Sequence, residues 1–121
     1  MDPSNLKSIR VLLVEDEPLV AMLLEDQLAE LGCVVAATAV TVPDALDKVA
    51  ATAFDIAILD VNLNGAQSYP VAELLRDRKI PFVFSTGYGE VGVPQSLRVA
   101  PILAKPFTEE DLKQALLTAL G

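Results

Sequence analysis

The chain has 121 residues, 52% of them hydrophobic and 21% charged, with a formal net charge of −8. That length and apolar content suit one domain around one core and exclude the composition of a disordered chain, while the acidic balance excludes electrostatic attraction to a nucleic-acid backbone. No histidine is present and Cys33 is the single cysteine, which excludes His-based catalysis, His-ligated zinc and an internal disulfide. The apolar run Cys33-Val34-Val35-Ala36-Ala37 predicts a buried, inert thiol. No apolar run is long enough to span a bilayer, and the first five residues lack the basic and apolar regions of a signal peptide. The expectation is a cytoplasmic protein with a single domain over residues 1–121.

In chain order, residues 9–14 predict a first strand, rich in β-branched side chains. Pro18 fits the first turn of a helix, where its missing N–H costs nothing. Val20, Leu23, Leu24, Leu28 and Leu31 recur at helical spacing, and Gly32 can close that helix in a left-handed cap. A second strand follows over about residues 33–38. Thr41-Val42-Pro43-Asp44 is spaced like a capping box and opens a helix whose apolar face is Ala45, Leu46, Val49 and Ala53. Residues 54–60 predict a third strand. Its continuous apolar run, Ile56-Ala57-Ile58-Leu59, is the pattern of a parallel strand buried on both faces. Val71, Leu74 and Leu75 mark a third helix, residues 81–86 a fourth strand and residues 100–104 a short fifth. A second capping box, Thr108-Glu109-Glu110-Asp111, precedes a last helix carrying Leu112, Ala115, Leu116, Ala119 and Leu120.

Strands alternating with amphipathic helices predict right-handed βαβ units: an α/β fold whose parallel sheet is covered by helices on both faces. In such sheets the functional groups gather beyond the carboxyl ends of the strands. Glu15, Asp16 and Glu17 follow the first strand, Asp60 ends the third, Thr86 ends the fourth and Lys105 follows the fifth. Clustered carboxylates repel one another unless a cation neutralises them, and hard oxygen ligands suit Mg2+. Each residue taken singly has a plainer explanation. Strand-end acids are often helix caps or solvated loop residues, a strand-end threonine is ordinary, and a Lys-Pro pair usually lies on the surface. Asp60 is harder to explain in that way, because four apolar residues lead directly into it.

Together, VLLVEDEP with Glu15 and Asp16, AILDVNLNG with Asp60, FSTGY with Thr86 and AKPF with Lys105 and Pro106 resemble the receiver domain of two-component response regulators, over essentially the whole chain. The resemblance implies a flavodoxin-like, doubly wound, five-stranded parallel sheet in the order 2-1-3-4-5. It implies that Asp60 accepts a phosphoryl group from the phosphohistidine of a sensor histidine kinase or a phosphotransfer protein. Asp16 would bind Mg2+ directly, Glu15 through water, and Asp60 through one oxygen, joined by the backbone carbonyl of Asn62. Lys105 would pair with one phosphoryl oxygen and the Thr86 hydroxyl with another. Phosphorylation would switch a surface read by a downstream protein partner, with no nucleic acid or membrane involved. The domain would be no enzyme beyond its own phosphoryl transfer and autodephosphorylation. Residues 81–88, PFVFSTGY, also resemble the FAT GUY group of stand-alone alphaproteobacterial receivers, associated with HWE-type and related kinases and with the general stress response. Ser85 stands where that group's name has alanine.

Two positions depart from the receiver pattern. Ile102 replaces the aromatic residue usual three positions before the lysine, which weakens the case for ordinary aromatic–threonine coupling. Asn64 replaces a frequent proline four residues after Asp60 and leaves the loop after the third strand more adaptable. Between Gly87 and Pro94, the glycines at 87, 89 and 92 each cost a helix about 1 kcal/mol. Any fourth helix is therefore confined to about residues 94–99. Tyr88 is the nearest ring that could take over a signalling role, or it packs on the loop. Other readings are a constitutive adaptor without a phosphorylation cycle, or a phosphate sink. An Asp-nucleophile phosphatase needs a second acid two residues after the nucleophile, where Asn62 can do no acid–base work. A nucleotide-binding module needs a glycine-rich loop after the first strand, and none is present.

Overall fold

The computed structural model describes residues 6–87, 93–98 and 100–121. Five parallel strands, β1 (Arg10–Val14), β2 (Val34–Ala39), β3 (Ile56–Asp60), β4 (Phe82–Thr86) and β5 (Ile102–Ala104), pair in the order β2-β1-β3-β4-β5. This is the expected flavodoxin-like order. Helices α1 (Pro18–Glu30), α2 (Val42–Ala51), α3 (Tyr69–Asp77) and α4 (Glu109–Leu120) cover the sheet. Because side chains alternate along a strand, each strand feeds two cores. Val11, Leu13, Ile56, Ile58, Val83 and Leu103 pack with Leu24 and Leu28 of α1 and Leu112 and Leu116 of α4. Leu12, Val14, Ala57, Leu59 and Phe84 face the other way, against Ala45 and Val49 of α2 and Val71 and Leu75 of α3. All five residues of β3 are buried, so its apolar run contributes to both layers. Each large aliphatic side chain buried there stabilises the fold by about 1.5–3 kcal/mol.

The helix ends follow local chemistry. Gly32 has φ +86° and ends α1: its N–H donates to the Ala29 carbonyl at 3.0 Å and the Cys33 N–H to Leu28 at 2.9 Å. These are the paired bonds of a Schellman cap. Cys33 is buried, as expected. Thr108 and Asp111 exchange both bonds of a capping box, each at 3.0 Å. At α2 only half of the expected box forms: Thr41 Oγ1 accepts from the Asp44 N–H, while the Asp44 carboxylate pairs with Lys48 at 2.9 Å. A lysine one turn away outcompetes the cap's own backbone for that carboxylate.

Several expected boundaries shift. The helix ends at the extended Thr52, so Ala53 is exposed and its carbonyl accepts from Arg10 Nε. Asp55 caps the start of β1 through the Arg10 N–H at 2.8 Å instead of extending β3. β5 starts at Ile102, not Ala100. The loop after β3 is the largest difference: it is a hairpin, Asn62–Leu63 against Ala66–Gln67, turned by Asn64 (φ +53°) and Gly65 (φ +86°). Two consecutive left-handed residues define the tight turn that Asn-Gly favours, so this loop is more ordered than the absence of a proline suggested. Between residues 93 and 98 only one 3₁₀ turn, Gln95–Leu97, forms, preceded by an extended Pro94. The expectations for Tyr88 and for residues 89–92 lie outside the described residues.

The α4 cap is a local contact with a separable effect. Thr108→Ala should lower the unfolding free energy by about 1 kcal/mol. Urea denaturation should show this as a lower midpoint with an unchanged slope.

Candidate functional site

The register of the sheet assembles the site. Val14 of β1 pairs with Leu59 of β3, which sets Glu15 beside Asp60, and Asp60 itself pairs with Ser85 of β4. Lys105 lies one residue beyond β5, and its N–H donates to the Thr86 carbonyl at 2.9 Å, tying the ends of β4 and β5 together. From there the Lys105 ammonium reaches Glu15 Oε2 at 3.2 Å and Asp60 Oδ2 at 3.3 Å. The Glu15 side chain is only 1% exposed and that of Asp60 8%, so the lysine is a counterion in a poorly solvated place. An ion pair there is screened far less than one on the surface.

Backbone donors orient the acids further. The Glu17 N–H donates to Glu15 Oε1 and the Asn62 N–H to Asp60 Oδ1, both at 3.1 Å. The Asn64 N–H donates to Asp16 Oδ2 at 2.9 Å. The hairpin therefore grips two carboxylates from one edge. Its own turn is locked by the Gly65 N–H donating to Asn62 Oδ1 at 2.8 Å, and Leu63 is anchored in the core. Proline at position 64 would offer no N–H to Asp16.

One carboxylate oxygen from each of Glu15, Asp16, Glu17 and Asp60 lies within 4.8 Å of the others. Asp16, Glu17 and Asp60 border a cavity of about 320 Å3 with Asn62 and Lys105 on its wall. Burial pushes the Glu15 carboxyl from 4.5 up to about 7. Its hydrogen bond and charge repulsion with Asp60 act in the same direction, while the Glu17 N–H and the Lys105 charge oppose them. For Lys105 burial alone would lower the pKa, but the Asp60 and Glu15 charges outweigh it and hold the ammonium charged. One lysine thus leaves the acids undercompensated, and the remainder must be met by a proton or a cation. An all-oxygen donor set suits a hard cation such as Mg2+.

Of the residues singled out from sequence, Glu15, Asp16, Asp60 and Lys105 converge, and Asn62 touches Asp60 through its N–H. Thr86 is buried at the end of β4 and joins Lys105 through its backbone. Glu17 belongs to the carboxylate group but was not expected as a ligand; the Glu15-Asp16-Glu17 triplet was the available signal. The grip of the Asn64 N–H on Asp16 was also unforeseen.

The chain matches the response regulator receiver domain family over residues 11–117. It is 32% identical over 116 residues to the sensory transduction protein LytT of Bacillus subtilis (strain 168), covering 89% of this chain and 46% of that protein. The chain thus spans about half the length of that curated relative. The solution structure of SdrG from Sphingomonas melonis Fr1 superposes with a TM-score of 0.85, at 45% identity and with 100% of both chains covered. The BeF3-activated conformation of SdrG from Pseudomonas melonis Fr1 gives 0.80, at 47% identity over 93% of this chain and 96% of that one.

The raised Glu15 carboxyl has a consequence for stability. Its folded value lies above its unfolded one, so its contribution is complete below the unfolded pKa and is lost as pH rises through the folded one. Metal-free protein should therefore lose on the order of 1–3 kcal/mol of stability between about pH 5 and about pH 8. Glu15→Gln, which cannot ionise, should flatten that dependence in denaturation curves taken across the range.

Proposed function

We propose, from the premise that this chain belongs to the response regulator receiver domain family, that it is a phosphorylation switch with Asp60 as its acceptor. The observation that carries this reading is the Lys105 ammonium lying between Glu15 and Asp60 at the carboxyl ends of the strands. A phosphoryl group is itself anionic, so attack on it by a carboxylate depends on positive charge and positioning more than on covalent chemistry. Asp60 has one oxygen held by the Asn62 N–H and the other by Lys105, which fixes its orientation before any donor arrives. Glu15, Asp16, Asp60 and the Asn62 carbonyl would hold Mg2+, which supplies charge neutralisation between the carboxylates and the phosphoryl oxygens. Lys105 would then pair with one phosphoryl oxygen as a point charge, and Thr86 would give its hydroxyl to another.

The donor is a phosphohistidine of a sensor kinase or phosphotransfer protein, and these 121 residues hold no histidine that could supply it. The motif at residues 81–88 favours kinases of the HWE type and the FAT GUY group. Output passes to a protein partner through the surface around β4 and β5, in the cytoplasm. A BeF3-activated form of the similar protein SdrG supports a switch that responds to phosphoryl-like ligands. A swing from mostly off to mostly on requires about 5.5 kcal/mol of differential interaction. Two or three charge-assisted hydrogen bonds of about 1.5–3 kcal/mol each could supply it. A constitutive adaptor would have no need of the Lys105 bridge. Among the described residues, no helix is long and apolar enough to cross a membrane.

Incubation with Mg2+ and acetyl phosphate should add one phosphoryl group, a mass gain of about 80 Da. Asp60→Asn should abolish it; unchanged labelling of that variant rules Asp60 out. Mg2+ should also raise Tm by relieving the carboxylate repulsion, and Asp16→Ala should remove much of that gain while sparing or stabilising the metal-free form. Equal melting curves with and without Mg2+ for both proteins would exclude a metal site.

A further inference from the structure

Ser85 is fully buried, and its hydroxyl has no hydrogen-bond partner among the described residues. A buried hydroxyl left unpaired is costly, so one that persists beside a charged site points to a partner in another state of that site. Its position identifies the partner. Val83 lies two residues before Ser85 and packs in the α1/α4 core, as do Leu13, Ile58 and Leu103, two residues before Glu15, Asp60 and Lys105. Strand alternation therefore sets Glu15, Asp60, Ser85 and Lys105 on one face of the sheet, along β1, β3, β4 and β5. Ser85 pairs in register with Asp60 on one side and with Leu103 on the other. To reach Asp60 at 3.3 Å and Glu15 at 3.2 Å, the Lys105 side chain must cross β4, the strand that carries Ser85.

An ammonium has three donors, and Glu15 and Asp60 occupy two. We propose that Ser85 is a positioning residue for Lys105: its hydroxyl accepts an ammonium N–H once a cation engages Glu15 and Asp60 and weakens their hold on the lysine. Lys105 Nζ then stays over Asp60, where a phosphoryl oxygen would meet it, and does not swing into solvent. Alanine at this position would leave only a methyl group beneath the ammonium. The proposal rests on the phosphoacceptor reading above and assigns Ser85 no contact with the phosphoryl group itself.

Ser85→Ala and the near-isosteric Ser85→Cys test it, each in wild-type and Lys105→Met backgrounds. Without metal, Ser85→Ala should melt at or above the wild type, because a partnerless hydroxyl has been removed. With Mg2+, its gain in Tm should be smaller than the wild type's, and labelling by acetyl phosphate should slow about tenfold, the worth of one hydrogen bond to a charged group. In the Lys105→Met background the Mg2+-induced gain in Tm should be the same with Ser, Ala or Cys. Equal Mg2+ gains and labelling rates for wild type and Ser85→Ala would overturn the proposal while leaving the phosphoacceptor reading intact. A lower metal-free Tm for Ser85→Ala, or an equal loss with and without the Lys105 side chain, would also overturn it. Failure of the wild type to take up any phosphoryl group would overturn both.

Discussion

Lys105 Nζ stands 3.2 Å from Glu15 and 3.3 Å from Asp60, and without it two buried carboxylates would share a strand edge with no cation between them. Two like charges within 4.8 Å of each other cost roughly 3–4 kcal/mol even in a moderately polar environment. Much of the architecture serves to hold this one contact. Each participant follows a different strand of a sheet covered on both faces, so none can retreat far without disturbing the register. The bond from the Lys105 N–H to Thr86 fixes where the lysine leaves β5, and the apolar layers beneath keep water from weakening the pair.

The contact is deliberately incomplete. Four carboxylates cluster where one ammonium touches two of them, and Glu15, with its carboxyl raised to about 7, can relieve the excess by holding a proton. A proton or a cation could each meet that charge deficit, and a change in the charge of Glu15 is felt by Asp60 through Lys105, which touches both. The hairpin supports the acids without adding charge, since it contributes backbone N–H groups and not cationic side chains. A second lysine would neutralise the acids permanently and remove the charge deficit that a divalent ion could meet.

Much of this was legible in the residues. The unbroken run Ile56-Ala57-Ile58-Leu59 announced a strand buried on both faces, Gly32 the left-handed end of α1, and Thr108 with Asp111 a full cap. The strand-end positions of Glu15, Asp16, Asp60 and Lys105 followed from alternation alone. The hairpin was readable too, since Asn64-Gly65 is a strong turn signal. The proline frequent at this position in receivers, absent here, points away from that signal. Thr41 and Asp44 fit the cap pattern, yet Lys48 one turn away decided the outcome, a competition that spacing cannot weigh. Phe54 and Asp55 looked like strand because apolar character resumes at Phe54, whereas Asp55 is spent on the Arg10 N–H. The unpaired Ser85 hydroxyl lies beyond sequence altogether, because a missing partner is a property of packing.

The Asn64 N–H bond to Asp16 comes from the main chain, at a residue whose left-handed backbone is shared with Gly65. Glycine or aspartate could occupy position 64 with the same turn and the same donor, since both tolerate that conformation. The side chain there is exposed on the rim of the cavity. Lineages descended from such a chain could thus repaint the rim of the cavity, altering shape and charge at its edge. The carboxylate behind it would stay where it is, so the surface and the site beneath it can drift apart at a single residue.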